Sequence, residues 1–210
     1  MATGIPVSVG ELVDVPTINS WARGYLRKNT AKAVNATTSP TDLLNGEFTL
    51  PAGAMGTTKV VRLTAWGDWL QHVGADKPIP GFQLLLGGTT LLEASAPGVN
   101  VVSSNTTRQP WRIVCEIQNL AAANSQRANF AGRLLHNSNN IAASGVFLTG
   151  EGLTFVNALG SSGNGWSTYD GTNATAVDTT ASCALLLNAV NSYSDANYET
   201  TLYGALVEII

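Results

Sequence analysis

Apolar and polar residues alternate one by one in several separate stretches of this chain, a pattern that few folds accommodate. In residues 59–70, Val61, Leu63 and Ala65 fall on one side, with Val60, Arg62, Thr64 and Trp66 on the other. In residues 111–119, Trp111, Ile113, Cys115 and Ile117 alternate with Arg112, Glu116 and Gln118. Successive side chains of an extended strand point to opposite faces, so this period buries one face and leaves the other wet. Residues 82–94 hold two short apolar runs around Gly87-Gly88, which reads as a tight hairpin. Residues 126–136, 145–159, 181–190 and 198–209 complete the set. Roughly eight to ten strands joined by turn-rich spacers make an antiparallel sandwich the expected architecture. Clusters of Gly, Asn and Ser near 97–108, 137–145 and 160–176 read as loops. The run Gly204–Ile210 reads as a strand inside a sheet, and as a candidate for sharing between subunits.

Composition sets limits on what such a fold does. At 210 residues a chain buries roughly 70% of its unfolded surface, enough to hold a fold without metal or disulfide. Charged residues make up only 12% of it, about half the usual share. Hydrophobic residues still reach 44%, so disorder is not expected. A poorly charged surface keeps copies apart weakly and suits a protein that works inside an assembly. The net charge of −3 argues against nucleic-acid binding, which needs a dense Lys/Arg footprint. Cys115 and Cys183 lie within apolar runs and read as buried free thiols, with a cross-strand disulfide as the alternative. The N-terminus has neither a basic region nor a continuous apolar stretch, and no run is long enough to cross a membrane as a helix. Synthesis in a cytoplasm, with no membrane contact, is the expectation.

The opening residues have a different period. Ile18, Trp21, Ala22, Tyr25 and Leu26 recur at helical spacing behind Pro16. Arg23, Arg27 and Lys28 gather toward the far end, where cations suit the helix dipole, and Asn29 reads as a stop. Gly24 inside the segment weakens it, and helices shorter than about 12–15 residues are marginal alone. Residues 1–31 are therefore expected to form a short N-terminal helical arm, with the β-sandwich domain spanning 32–210. The apolar stripe of Ile18, Trp21, Tyr25 and Leu26 is the expected docking surface.

Chemistry-bearing constellations are scarce. His72 and His136 have no second ligand at a metal-binding spacing. No nucleophile elbow or phosphate-binding loop occurs, and Asp68, Glu151, Asp170, Asp178 and Asp195 read as surface or turn acids. The chain is read as non-enzymatic, with no catalytic residue, cofactor or metal. Trp166 and Tyr169 stand in a loop of small polar residues. They read either as an aromatic platform for a sugar or a neighbouring subunit, or as a plug for the end of the sandwich. Tyr193 and Tyr198 pose the same question.

The opening stretch VSVGELVDVPTINSWARGYLRKN resembles the leader of many tailed-bacteriophage virion proteins. Gly10, Glu11, Leu12, Val13, Asn19, Arg27 and Asn29 hold comparable places, while Asp14-Val15-Pro16 and Lys28 depart from the pattern. The stretches VVRLTAWGDWL, LLLGGTTLL and WRIVCEIQNLAAANSQRA resemble the jelly-roll modules of phage head-decoration and tail-fibre proteins. The resemblance implies a jelly-roll-like sandwich in a virion structural protein. The expected role is a capsid decoration or cement protein that binds neighbouring major-capsid subunits as a homotrimer. The alternative is a receptor-binding short tail fibre or head fibre module, attached to tail proteins and recognising a host surface glycan.

Overall fold

A computed structural model describes residues 24–28, 30–73, 77–78, 80–95, 99–101, 105–134, 141–143, 153–154, 156–157 and 177–210. These residues form sixteen strands and no helix. In chain order the first eight are β1 (Gly24–Lys28), β2 (Lys32–Asn35), β3 (Thr41–Asp42), β4 (Thr49–Leu50), β5 (Val60–Gln71), β6 (Lys77–Pro78), β7 (Gly81–Leu86) and β8 (Thr89–Ser95). The rest are β9 (Val99–Val101), β10 (Asn105–Asn119), β11 (Gln126–Leu134), β12 (Ile141–Ala143), β13 (Leu153–Thr154), β14 (Val156–Asn157), β15 (Cys183–Val190) and β16 (Tyr198–Ile209).

Two antiparallel sheets pack together as a β-sandwich. The larger runs β1-β16-β5-β10-β11-β13, with β2 also on β16. The smaller runs β14-β8-β7-β15-β3, with β4 also on β15. A three-stranded piece runs β12-β9-β6, and two of its strands, β9 and β12, lie within stretches whose composition reads as loop. Extended pairing of one spacer against another overrides the Gly/Asn/Ser signal there.

The core lies between the sheets and follows the alternation. Val61, Leu63, Ala65, Trp111, Ile113, Cys115 and Ile117 line the inner face of the larger sheet, each at most 2% exposed. Phe82, Leu84, Leu86, Leu92, Leu185, Leu187 and Ala189 face them from the smaller sheet. Phe82 and Trp111 meet across the core with ring centroids 4.9 Å apart, tilted by 53°, a favoured aromatic geometry. Burying a large apolar side chain is worth about 1.5–3 kcal/mol, so this core needs no covalent staple. Both cysteines are buried and free. The β7–β8 hairpin turns on Gly87 (φ 55°) and Gly88 (φ 81°), the left-handed pair that a tight two-residue turn requires.

Strand β16 is interior. It pairs along its length with β5 on one side, and on the other with β2 (Glu199↔Asn35 to Leu202↔Lys32) and β1 (Ala205↔Lys28 to Ile209↔Gly24). Its backbone partners all come from its own chain, so in-plane sharing of this strand with another copy is blocked. Over Gly24–Lys28, β1 replaces the helical reading with an extended one. Tyr25 and Leu26 belong to an extended strand, because pairing with β16 satisfies their backbone groups, which a short weak helix would leave to water. Lys28 does not sit at a helix end. It is 1% exposed and donates to Glu47 at the sheet margin. Ile18 and Trp21 lie outside the described residues.

A bulge divides β16. Leu202 stands opposite Gly67 and Gly204 opposite Trp66, leaving Tyr203 as the extra residue. Tyr198, Thr200 and Leu202 point inward before it, and Ala205, Val207 and Ile209 after it. Two glycines make the crossing fit. A Cβ on Gly67 would sit 1.8 Å from the Thr201 carbonyl oxygen, and one on Gly204 would sit 2.4 Å from the Trp66 ring.

Gly67→Ala should therefore cost about 3 kcal/mol, the upper end of overpacking penalties, because the obstacle is backbone. Gly204→Ala should cost less, and pairing it with Trp66→Ala should recover most of the loss; urea unfolding of the single and double variants measures both. The two thiols provide a second check. Burial raises the pKa of Cys115 and of Cys183, so alkylation of the native protein should be slow and become complete only in denaturant. Intact mass reads this directly, and rapid native labelling of Cys115 would contradict the packing.

Candidate functional site

The outer face of the larger sheet carries the most developed surface feature among the described residues. Directly opposed residues on paired strands share a face, and the register lays this one out in rows. Glu208, Arg62 and Glu116 form one row across β16, β5 and β10, with Leu206, Thr64 and Val114 next, then Gly204, Trp66 and Arg112. Asn129 and Ala131 of β11 extend the first two. Arg62, Thr64, Trp66, Arg112, Val114, Glu116, Leu206 and Glu208 line a shallow depression of about 670 Å³.

The indole of Trp66 is laid over Gly204, with Cε2 and Cζ2 within 3 Å of the place where a Cβ would stand. Arg62 closes the first row by donating to Glu116, 2.8 Å away. Arg112 is exposed and Glu208 half-buried. Neither side chain makes a hydrogen bond or ion pair among the described residues.

Beyond Trp66 the same face is knit together by charge. Arg108 of β10 reaches across two strands to Asp68 (2.7 Å), to Thr201 (3.1 Å) and to Glu199. Tyr203, the bulged residue, donates its hydroxyl to the other oxygen of Asp68. Asn35 donates to Glu199 over 3.2 Å, and the Trp111 indole N–H to the Asp68 carbonyl over 2.9 Å. Burial works against the charge on Glu199, but hydrogen bonds from Arg108 and Thr201 outweigh it and hold the carboxyl below its usual range. Burial likewise disfavours the Arg108 cation, and its two carboxylate partners reverse that effect. Donation to Asp68 pushes the Tyr203 hydroxyl up.

This arrangement braces the sheet, because one guanidinium on β10 engages a carboxylate on each of β5 and β16. His72 lies just past β5, exposed, its backbone N–H on Asn197. No group of three or more His, Cys, Asp or Glu among the described residues could hold a metal ion. Asp178 and Asp195 close tight turns by accepting from Thr180 and Asn197.

The described residues among those singled out from sequence lie in different places. Tyr25 and Leu26 lie in the edge strand β1, while Trp166 and Tyr169, like Ile18 and Trp21, fall outside the described residues. Tyr193 is 37% exposed on the connection between β15 and β16, whereas Tyr198 is 0% exposed. Tyr198 is therefore a core residue and not a loop contact. As the first residue of β16 it shares the inward phase of Thr200 and Leu202, and burial raises its hydroxyl against hydrogen bonding at Ser192. Asp68, which reads from sequence as an ordinary surface acid, is 7% exposed and sits at the centre of the charge cluster. Its partners lie 40 and 135 residues away, so no local signal marks it.

Glu199 gives a pH dependence with a definite sign. Its lowered carboxyl contributes stability that is full above the usual value of 4.5 and is lost as pH falls through the folded value. Unfolding free energy should decline in that acid window, and Arg108→Met should flatten the decline; urea titrations at a series of pH values measure the slope. An unchanged slope would remove the cluster from the account.

No protein-family model, curated protein or solved structure matches this chain.

Proposed function

We propose that the chain is a structural protein of a tailed-phage virion. In this reading it is a jelly-roll-like decoration or cement protein that binds neighbouring major-capsid subunits as a homotrimer. The observation that carries the reading is the leader-like pattern of Gly10, Glu11, Leu12, Val13 and Asn19, continued by Arg27 and Asn29, at the start of a charge-poor β-sandwich. The leader joins the sandwich at its margin, because β1 is the outermost strand of the larger sheet and Gly24 stands opposite Ile209. A segment joined at a sheet edge can reach a neighbouring surface without opening the core. The alternative, a glycan-reading fibre module, rests on loop aromatics, and one of them, Tyr198, is interior.

The extended β1 moves the start of the sandwich ahead of residue 32, so attachment is assigned to residues 1–23. Removing those residues should leave the circular dichroism and cooperative unfolding of the sandwich intact while abolishing co-sedimentation with phage particles. Trp21→Ala should weaken co-sedimentation in the full chain. Unchanged binding by the truncated protein would place attachment in the sandwich, and loss of folding would make residues 1–23 part of the fold.

A further inference from the structure

We propose that the outer face of the larger sheet binds an acidic saccharide, a chain of carboxylate-bearing sugars. The ligand lies across the strands over Trp66, with its carboxylates on the arginines of the two flanks. The site goes beyond the decoration reading and does not depend on it.

The arginines of the chain are gathered on this face. Arg27, Arg62, Arg108, Arg112, Arg127 and Arg133 all have its outward parity, and Arg23 lies outside the described residues. The lysines are placed elsewhere. Lys28 and Lys32 stand opposite the inward Ala205 and Leu202, and Lys59 and Lys77 lie outside the strands of the sheet. Among the described residues the carboxylates on this face are Asp68, Glu116, Glu199 and Glu208, fewer than the arginines. A protein of net charge −3 therefore turns a guanidinium-rich face to its surroundings. Arginine holds a carboxylate by a planar two-point contact, where lysine supplies only a point charge.

Part of this array is already engaged, Arg62 by Glu116 and Arg108 by Asp68 and Glu199. Arg27 and Arg112 are exposed, and neither side chain has a hydrogen bond or ion pair among the described residues. Arg133 stands directly opposite Arg112 on the neighbouring strand. Like charges so placed repel, and a carboxylate seated between them replaces that repulsion with two attractions. Arg27 lies on the other flank, three strand spacings or about 14 Å from Arg112 across the sheet. An extended chain of sugars, rather than a single ring, reaches both.

Between the flanks the floor suits a sugar. The half-buried Trp66 lies over Gly204, with Leu206 and Val114 beside it, and the C–H-lined face of a sugar ring packs on such a surface. Its hydroxyls meet Thr64 and Glu208, the latter half-buried and without a side-chain mate among the described residues. Glu208 separates the classes of anion. A nucleic acid needs a dense cationic footprint and would set phosphates against this carboxylate, as an acidic peptide would set its own side chains. One acidic sugar offers hydroxyl donors to Glu208 and a carboxylate to the arginines. The depression, shallow and about 670 Å³ in volume, admits a ligand that lies along the surface.

Affinity electrophoresis and tryptophan fluorescence test this on the full chain, with oligogalacturonate and oligoglucuronate as probes. At least one should bind and shift the indole emission, and its carboxyl-reduced neutral form should bind about tenfold more weakly, as loss of a charge-assisted hydrogen bond implies. Arg27→Gln and Arg112→Gln alter exposed side chains and should leave circular dichroism unchanged, yet each should weaken binding about tenfold. Arg112→Lys should recover only part of that loss, because a point charge lacks the fork. Trp66→Phe should keep binding and lose the emission shift. Binding of neither uronate, equal binding of the reduced form, arginine variants of native affinity, or an emission shift that survives Trp66→Phe would each overturn the site. Polyglutamate or oligothymidylate bound more tightly than the uronates would give the face to a peptide or a nucleic acid, and overturn it as well. Co-sedimentation with phage particles should be unchanged in Arg112→Gln; its loss would make the face a particle contact and end the saccharide assignment. A native chain that ignores particles overturns the virion reading and leaves this site standing.

Discussion

The extra residue at Tyr203 is what allows one strand to serve the whole of the larger sheet. A regular twelve-residue strand presents one parity to the core, yet β16 buries Tyr198, Thr200 and Leu202 and then Ala205, Val207 and Ile209. Without a shift of one position, one half of the strand would turn its apolar residues to solvent. The bulge supplies the shift, and three features converge on it. The partner strand on one side breaks between β2 and β1 at that level. On the other side Gly67 lets the Thr201 carbonyl approach, and Gly204 yields room to the Trp66 ring. The displaced Tyr203 is then aimed along the outer face, where Asp68 receives its hydroxyl. Core, charge cluster and outer depression therefore depend on a single irregularity.

Much of this was legible from residue order. The alternation in β5 and β10 grouped Val61, Leu63 and Ala65, and Trp111, Ile113, Cys115 and Ile117, on the faces that turn out to be buried, because the strands are regular there, but it left the buried Trp69 and Asn119 unassigned. Gly87-Gly88 located a hairpin, because a turn needing two positive φ values has few other sequences. Failure came where a residue's environment is made by partners distant in the chain. Residues 18–26 keep a helical period, but Tyr25 and Leu26 are held extended by Glu208 and Val207. Lys28 violates the pattern outright, since no rule of amphipathicity turns a lysine inward. Its burial is tolerable only because Glu47, brought from the β3–β4 connection, receives the ammonium. Tyr193 and Tyr198 are equivalent in local composition and opposite in fate, because only Tyr198 is already in the phase of β16.

The low charge content has a counterpart inside the fold. Apart from Lys28 and Asp68, the interior polar side chains among the described residues are amides and hydroxyls, most of which bond one another and the backbone. Gln126 donates to Asn119 (2.9 Å) and to the Val177 carbonyl (3.0 Å), and accepts from the Val177 N–H (2.9 Å). Asn119 in turn donates to Gly56 and Thr179. That network ties Val177 and Thr179 to the ends of β10 and β11. Asn191 does similar work elsewhere, joining the Val34 carbonyl to the Thr200 hydroxyl. Neutral groups can be buried fully bonded at smaller desolvation cost than ions. A chain that fixes its loops this way needs few interior charges, and the two among the described residues, Lys28 and Asp68, are both paired.

The distribution of the surface charges carries an argument of its own. On the outer face of the larger sheet, Arg62 is engaged by Glu116, and Arg108 by Asp68 and Glu199. Such pairs are neutralised within the chain and add little to recognition beyond excluding wrong partners. Arg112 and Glu208 border the same depression, and their side chains lack mates among the described residues. Arg27 of β1 stands opposite Leu206, and Arg133 of β11 opposite Arg112, in the same rows. The positions outside the internal pairs are therefore mostly cationic, and it is the register of five strands, not any one residue, that sets the sign of the face.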